Sequence, residues 1–253
     1  MRASVIVLLA LLLGCARDEA PPARVAVAAN FAATAEELRA AFREAGGGAV
    51  DLVIGSTGGL HAQITAGAPF DAFLAADTDR PDRLIAAGLA DPASRFVYAV
   101  GHLALWSPRE ELTGDPAAVL AGGGFEHLAM ADPAAAPYGA AARDFLEQAG
   151  LLEVVAPRLV TGQNVGQAHQ FTASGNAELG LVALAQVRDG PGSCLLVPAD
   201  AHQPLAQAAV ALTDHPGARA FLAFLRHHPA AGAIMAAHGY QRPAEAGLHA
   251  GPR

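Results

Sequence analysis

Four short segments place uncharged hydrogen-bond donors just ahead of stretches with helical character: Ala29-Asn30-Phe31, Ser56-Thr57-Gly58-Gly59, Asp132 to Gly139 (DPAAAPYG) and Gln163-Asn164-Val165-Gly166. The first N–H groups of a helix have no acceptor within it and carry partial positive charge. Several such ends aimed at one point form a receptor for a dehydrated anion. None of the four segments contains an arginine or a histidine. The chemistry they suggest is capture of a doubly charged oxyanion by a neutral cage of amides and hydroxyls. Each also has a plainer reading. Ser56 and Asn30 are common cap residues, and Tyr138 between Pro137 and Gly139 could simply cover a loop. Thr34-x-x-Glu37 fits a capping box, which would start the first helix at Thr34 and leave Asn30 a turn outside it.

Signs of catalysis are weak by comparison. Ser56 and Ser174 lack a neighbouring His-Asp pattern, and Asp71 and Asp77 flank a short strand without forming an acid–base pair. His227-His228 is an adjacent pair, which does not share one helix face, so no direct cation site is expected there. There is no phosphate-binding P-loop, dinucleotide fingerprint or zinc-protease motif. The expectation is a protein that is not an enzyme and has no cofactor.

The elements that must position the four loops alternate between strand and helix. Val25–Ala29, Val50–Ile54 and Phe70–Ala75 read as strands; Ala32–Ala45, Leu60–Thr65 and Arg80–Ala87 read as helices. A second set follows, with strands near His127–Ala131, Val160, Leu179–Ala183 and Leu195–Val197, and helices over Gly139–Ala149 and Val165–Ala173. Helices Ala218–His227 and Ala230–Ala237 close the body. Such alternation predicts α/β architecture: two lobes, each a mostly parallel sheet flanked by helices. Phe96–Trp106 and the strand Ala208–Leu212 are the expected crossing segments between them. The boundaries read as lobe I over 24–102 and 207–241, lobe II over 103–206, and a Pro- and Gly-rich tail over 242–253. Ligands of open parallel sheets bind beyond the carboxyl ends of the strands, which here is the cleft between the lobes.

Bulk properties agree. Of 253 residues 53% are hydrophobic and 16% charged, and the formal net charge is −8 with all 16 basic residues arginine. A scattered, acidic balance argues against a nucleic-acid partner. At the N-terminus, Arg2 precedes an apolar run from Val5 to Leu13, too short for a membrane span and closed by Gly14 and Cys15. This predicts an export signal over 1–15, and a tether over 16–23. Leu12-Leu13-Gly14-Cys15 resembles a lipobox, with Cys15 as the acylated residue; a plain signal cut near Ala20 is the alternative. With Cys15 lipidated, Cys194 stands alone and no intramolecular disulfide can form.

The loops also resemble a known family. Val27-Ala28-Ala29-Asn30-Phe31, Gly55 to Leu60, and the run from Gln63 to Asp77 (QITAGAPFDAFLAAD) are similar to the periplasmic molybdate-binding proteins of ABC transporters. Asp132-Pro133 through Tyr138-Gly139, Asn164-Val165, Leu179 to Leu184 and His238-Gly239-Tyr240 continue the likeness in order, over about residues 24 to 241. The resemblance implies a type II periplasmic-binding fold that closes on molybdate or tungstate, a periplasmic location and an ABC permease as partner; the lipid anchor at Cys15 is expected from the lipobox instead, and the protein is expected to be a monomer. Carried over by position, it implies that the oxyanion meets the Asn30 side chain, the backbone at Ala29 and Asn30, Thr57 with Ser56 beside it, and the backbone N–H groups of Tyr138 and Val165. Some members have a tyrosine ligand where this chain has Ala183, and the Tyr138 hydroxyl is expected to fill that space. Another oxyanion, such as phosphate or a phosphonate, and a secreted α/β hydrolytic enzyme are the competing readings.

Overall fold

A computed structural model describes residues 21–109 and 111–243. The export signal with Cys15, the tether up to residue 20, and the tail from residue 244 lie outside the described residues.

Lobe I holds a five-stranded sheet in the order β2-β1-β3-β10-β4. Its strands are β1 (Ala23–Ala28), β2 (Val50–Gly55), β3 (Ala72–Leu74), β4 (Phe96–Gly101) and β10 (Leu205–Ala211). Lobe II holds a second sheet in the order β7-β6-β8-β5-β9, built from β5 (Leu103–Ser107), β6 (Leu128–Ala131), β7 (Leu159–Gly162), β8 (Leu179–Ala183) and β9 (Ser193–Leu196). In each sheet one strand runs against the other four: β10 is antiparallel to β3 and β4, and β5 is antiparallel to β8 and β9. Both reversed strands are the ones by which the chain enters a lobe from its neighbour. The two-lobe, mostly parallel expectation therefore describes the fold.

The helices are α1 (Ala32–Glu44), α2 (Thr57–Thr65), α3 (Asp79–Ala86), α4 (Pro116–Gly122), α5 (Pro137–Gln148), α6 (Leu152–Val155), α7 (Val165–Ser174), α8 (Leu184–Val187), α9 (Pro216–His227) and α10 (Pro229–Ala237). Strand β1 shows why the sheets read as continuous apolar runs. Val25 and Val27 pack with Phe31, Leu38 and Phe221 on one face, while Ala26 packs with Leu60, Phe73 and Leu84 on the other. A strand covered by helices on both faces has no polar side. None of the helices among the described residues is long and apolar enough to cross a membrane.

The stretch Phe96–Trp106 is divided at His102, so that β4 belongs to lobe I and β5 to lobe II. The return strand β10 begins at Leu205, two residues ahead of the boundary read from the sequence. Leu205 already pairs with Gly101, although its side chain packs into the lobe II core. At the start of lobe I, Ala23 is likewise in register with Val50. The two crossings are therefore hydrogen-bonded to each other at the hinge.

One local expectation is overturned. The Thr34-x-x-Glu37 capping box does not form. A 3-10 turn over Ala29–Phe31 runs directly into α1, whose N-cap position is Phe31 with no side-chain cap. Thr34 sits in the first turn of that helix, and its Oγ1 is the only buried side-chain polar atom without a partner among the described residues. The apolar anchors Phe31 and Ala35, both fully buried, fix the start of the helix more strongly than the hydroxyl does. Asn30 is thereby kept at a helical N-terminus.

Candidate functional site

The site is built where four helical N-termini meet. Ala28 precedes the 3-10 turn, Ser56 caps α2, Ala136 precedes α5, and Asn164 caps α7. None of the four carries an acidic residue in its first turn. The contrast with α3 is direct, since Asp79 and Asp82 compensate its N-terminal charge. Four positive helix ends thus lack a compensating carboxylate in their own first turns.

They face a small cavity between the lobes. Lobe I contributes Ala28, Ala29, Asn30, Ser56, Thr57 and Ala76; lobe II contributes Ala136, Pro137, Tyr138, Asn164 and Val165. All six residues singled out in the sequence thus line one space. No Arg, Lys, His, Asp or Glu lines it. Larger hollows occur at the surface, one of them beside Arg226 and Arg242, but that one lies wholly on lobe I.

The donors can be counted. Thr57 is buried, and its Oγ1 accepts from the Ala76 N–H at 3.1 Å. Ser56 Oγ accepts from the Gly59 N–H at 3.1 Å. A hydroxyl that accepts in this way still has its own proton to give, so both can donate into the cavity. Asn164 Oδ1 accepts from Gln167 N at 3.0 Å and holds α7 in place, leaving the N–H groups of Val165 and Gly166 at the first turn. In α5 the first position is Pro137, which has no N–H to leave unpaired, so Tyr138 presents the leading amide.

Asn30 departs from the expectation in its detail. Its amide nitrogen donates to Gln207 Oε1 at 2.9 Å and to the Tyr240 hydroxyl at 3.1 Å. An amide nitrogen has two hydrogens, so both are taken. What remains for a ligand is the backbone N–H at the head of the 3-10 turn. The Tyr138 ring also points away from the helix end: its hydroxyl lies against Gly101 and accepts from Gln207 Nε2 at 3.4 Å. Ala183, buried at the end of β8, is not among the residues lining the cavity. Burial pushes the Tyr98, Tyr138 and Tyr240 phenols up from their ordinary value, so all three stay protonated.

Residues 207, 98 and 240 were not legible as site components, although a lone glutamine in the strand LAQAAVA was an available signal. The helix-start sequences gave no sign that the lobes touch. Gly58 N donates to Ala135 O at 2.8 Å, and Arg80 donates from Nη2 to Ala134 O at 3.1 Å. Of the His, Asp and Glu side chains described, only Glu126, His127 and Glu178 come close enough to share an ion. They lie apart from this cavity, and Glu178 already accepts the backbone N–H groups of Glu126 and His127.

Two hinged α/β lobes enclosing an uncharged, anion-receptive cavity define a solute-binding protein. The profile of the bacterial extracellular solute-binding protein family matches residues 23–241, and the chain belongs to that family. It is 46% identical over 243 residues to the molybdate-binding protein of Azotobacter vinelandii, covering 93% of this chain and 96% of that one. The molybdate-binding protein of Rhodobacter capsulatus is 44% identical over 238 residues, covering 92% and 93%. The solved structure of the Azotobacter vinelandii periplasmic molybdate-binding protein superposes with a TM-score of 0.84 at 41% identity, over 87% of this chain and 99% of that one.

Proposed function

We propose that this protein captures molybdate, or the nearly identical tungstate, outside the cytoplasm and delivers it to an ABC importer. The observation that carries the reading is the convergence of four helix N-termini, none with an acidic residue in its first turn, on one cavity without a charged side chain. Such a cage favours a dianion through dipoles and hydrogen bonds. Ala29, Asn30, Tyr138 and Val165 contribute backbone N–H groups, and Ser56 and Thr57 contribute hydroxyl protons. The identities with two molybdate-binding proteins support the choice of ligand.

Binding here involves no bond making or breaking. Because donors come from both lobes, ligand has greater affinity for the closed arrangement and shifts the population toward it. A membrane permease then recognises the closed shape. The protein acts as a monomer, without a cofactor or nucleic-acid partner, and is held at the membrane by lipid on Cys15. Sulfate is excluded by the size of the cavity rather than by charge. Titration calorimetry of the purified protein with molybdate, tungstate, sulfate and phosphate tests the assignment. Saturable heat with the first two alone is expected; no heat with any of the four removes it. Mass spectrometry of the native N-terminus tests the anchor.

A further inference from the structure

We infer that Gln207 is a positioning residue for the oxyanion site, one side chain on the return crossing that sets the site's Asn30 and Tyr138 together. The inference rests on the oxyanion-binding reading and extends it to a residue outside the cavity wall. Gln207 is the one polar residue in β10 and is 0% exposed. The pairing of β10 with β4 slips between Gln207 and Ala208. A bulge of this kind re-aims a side chain. Its amide then reaches both lobes. Oε1 accepts from Asn30 Nδ2 at 2.9 Å in lobe I, and Nε2 donates to the Tyr138 hydroxyl at 3.4 Å in lobe II. The network is closed by Tyr98, whose hydroxyl donates to Gln207 Oε1 at 3.0 Å, and by Tyr240, whose hydroxyl donates to Asn30 O at 2.8 Å. All three tyrosines of the chain meet here.

The geometry assigns the Asn30 side chain a different task from ligand contact. With both amide hydrogens engaged, it fixes the 3-10 turn whose backbone N–H faces the cavity. Gln207 holds that side chain on one arm and the head of α5 on the other. The role needs a buried group that accepts and donates at once, which an amide does at any pH and a carboxyl only when protonated.

Calorimetry with sodium molybdate on wild type, Gln207→Met, Asn30→Ala and the double variant tests this, with thermal unfolding of each ligand-free protein alongside. Gln207→Met is expected to weaken binding by about ten-fold or more. In the Asn30→Ala background the same change is expected to cost clearly less than in wild type, because one of its two targets is gone. Gln207→Glu supplies a second, isosteric test. Wild-type affinity is expected to be flat between about pH 5 and pH 8, whereas the glutamate variant binds well only where its buried carboxyl is protonated and can still donate. Wild-type affinity in Gln207→Met, losses that multiply in the double variant, or a flat pH profile for Gln207→Glu would each overturn the inference. Should Gln207→Met fail to fold, the Gln207→Glu profile decides alone. Absence of heat with wild type removes the oxyanion reading and this inference with it, an outcome distinct from wild-type binding that Gln207 variants leave unchanged.

Discussion

Gly58 and Ala135 stand on opposite lobes, yet the Gly58 N–H donates to the Ala135 carbonyl at 2.8 Å. The same lobe II loop takes Arg80 through the carbonyl of Ala134, and Asp77 holds the guanidinium by an ion pair. Two carbonyls of the segment leading into α5 are thus tied to the start of α2 and to α3. The lobes are latched at the edge of the cavity by groups that are not themselves in its wall. A Cβ on residue 58 would stand 2.8 Å from the Ala135 oxygen and 3.2 Å from its Cα, both backbone atoms that cannot swing aside.

Gly58→Ala should therefore act on closure. Alanine is the better helix former, so the ligand-free protein should keep its stability to within about 0.5 kcal/mol. Molybdate affinity should fall by about ten-fold, as the closed state loses its latch and gains a clash. Small-angle scattering with saturating ligand should show a larger radius of gyration than wild type. Equal compaction in the two proteins would contradict this.

Thr57→Val removes a hydroxyl at nearly constant volume. It should weaken molybdate binding by about ten-fold or more, since a hydrogen bond to a charged group contributes about 1.5–3 kcal/mol. It also leaves the Ala76 N–H unpaired in a buried position, at a cost of about 1–3 kcal/mol to stability. Thr57→Ser, which keeps the hydroxyl, should restore most of both. Calorimetry and thermal unfolding of the pair check the claim.

Gly101→Ala would place its Cβ 2.0 Å from the Tyr138 hydroxyl and 2.7 Å from Gln207 Nε2. We expect a loss of about 1–3 kcal/mol of stability, the usual cost of overpacking. Tyr138→Phe removes the oxygen that clashes, so the double variant should be more stable than Gly101→Ala alone. A double variant at least as unstable as the sum of the single changes would show that the two side chains do not compete for this space.

The three tyrosines give a pH signature. Each has its phenol raised from the ordinary value of 10.0 by burial. A raised folded-state value stabilises the protein below the unfolded value, and that stability is lost as pH rises through it. Tyrosinate absorbance should stay absent to about pH 10 and then appear for all three residues together with unfolding. Gradual ionisation of one tyrosine in folded protein would show that it is not sealed in the network.

Much of the organisation was legible because it rests on local rules. Strands buried on both faces read as apolar runs, so β1, β6 and β8 declared themselves, and helices α7 and α10 declared themselves by composition between clear stops. The six candidate residues line one cavity because each marks a strand-to-helix junction, and parallel topology carries such junctions to the same end of the sheet. Short helices α4, α6 and α8 were missed, being four to seven residues long with too few turns for a period to show.

The residue sequence by itself determined which strand-to-helix junctions carry short hydroxyl and amide side chains and that no arginine or histidine stands among them. Only the tertiary structure decided which atom of Asn30 is free, because that depends on Gln207 and Tyr240, 177 and 210 residues further along the chain. It likewise decided that a capping box written into the sequence gives way to packing of Phe31, and that two lobes meet at Gly58. Hydrogen bonds between distant segments have no periodicity to betray them, since they are fixed by the close packing of side chains in three dimensions.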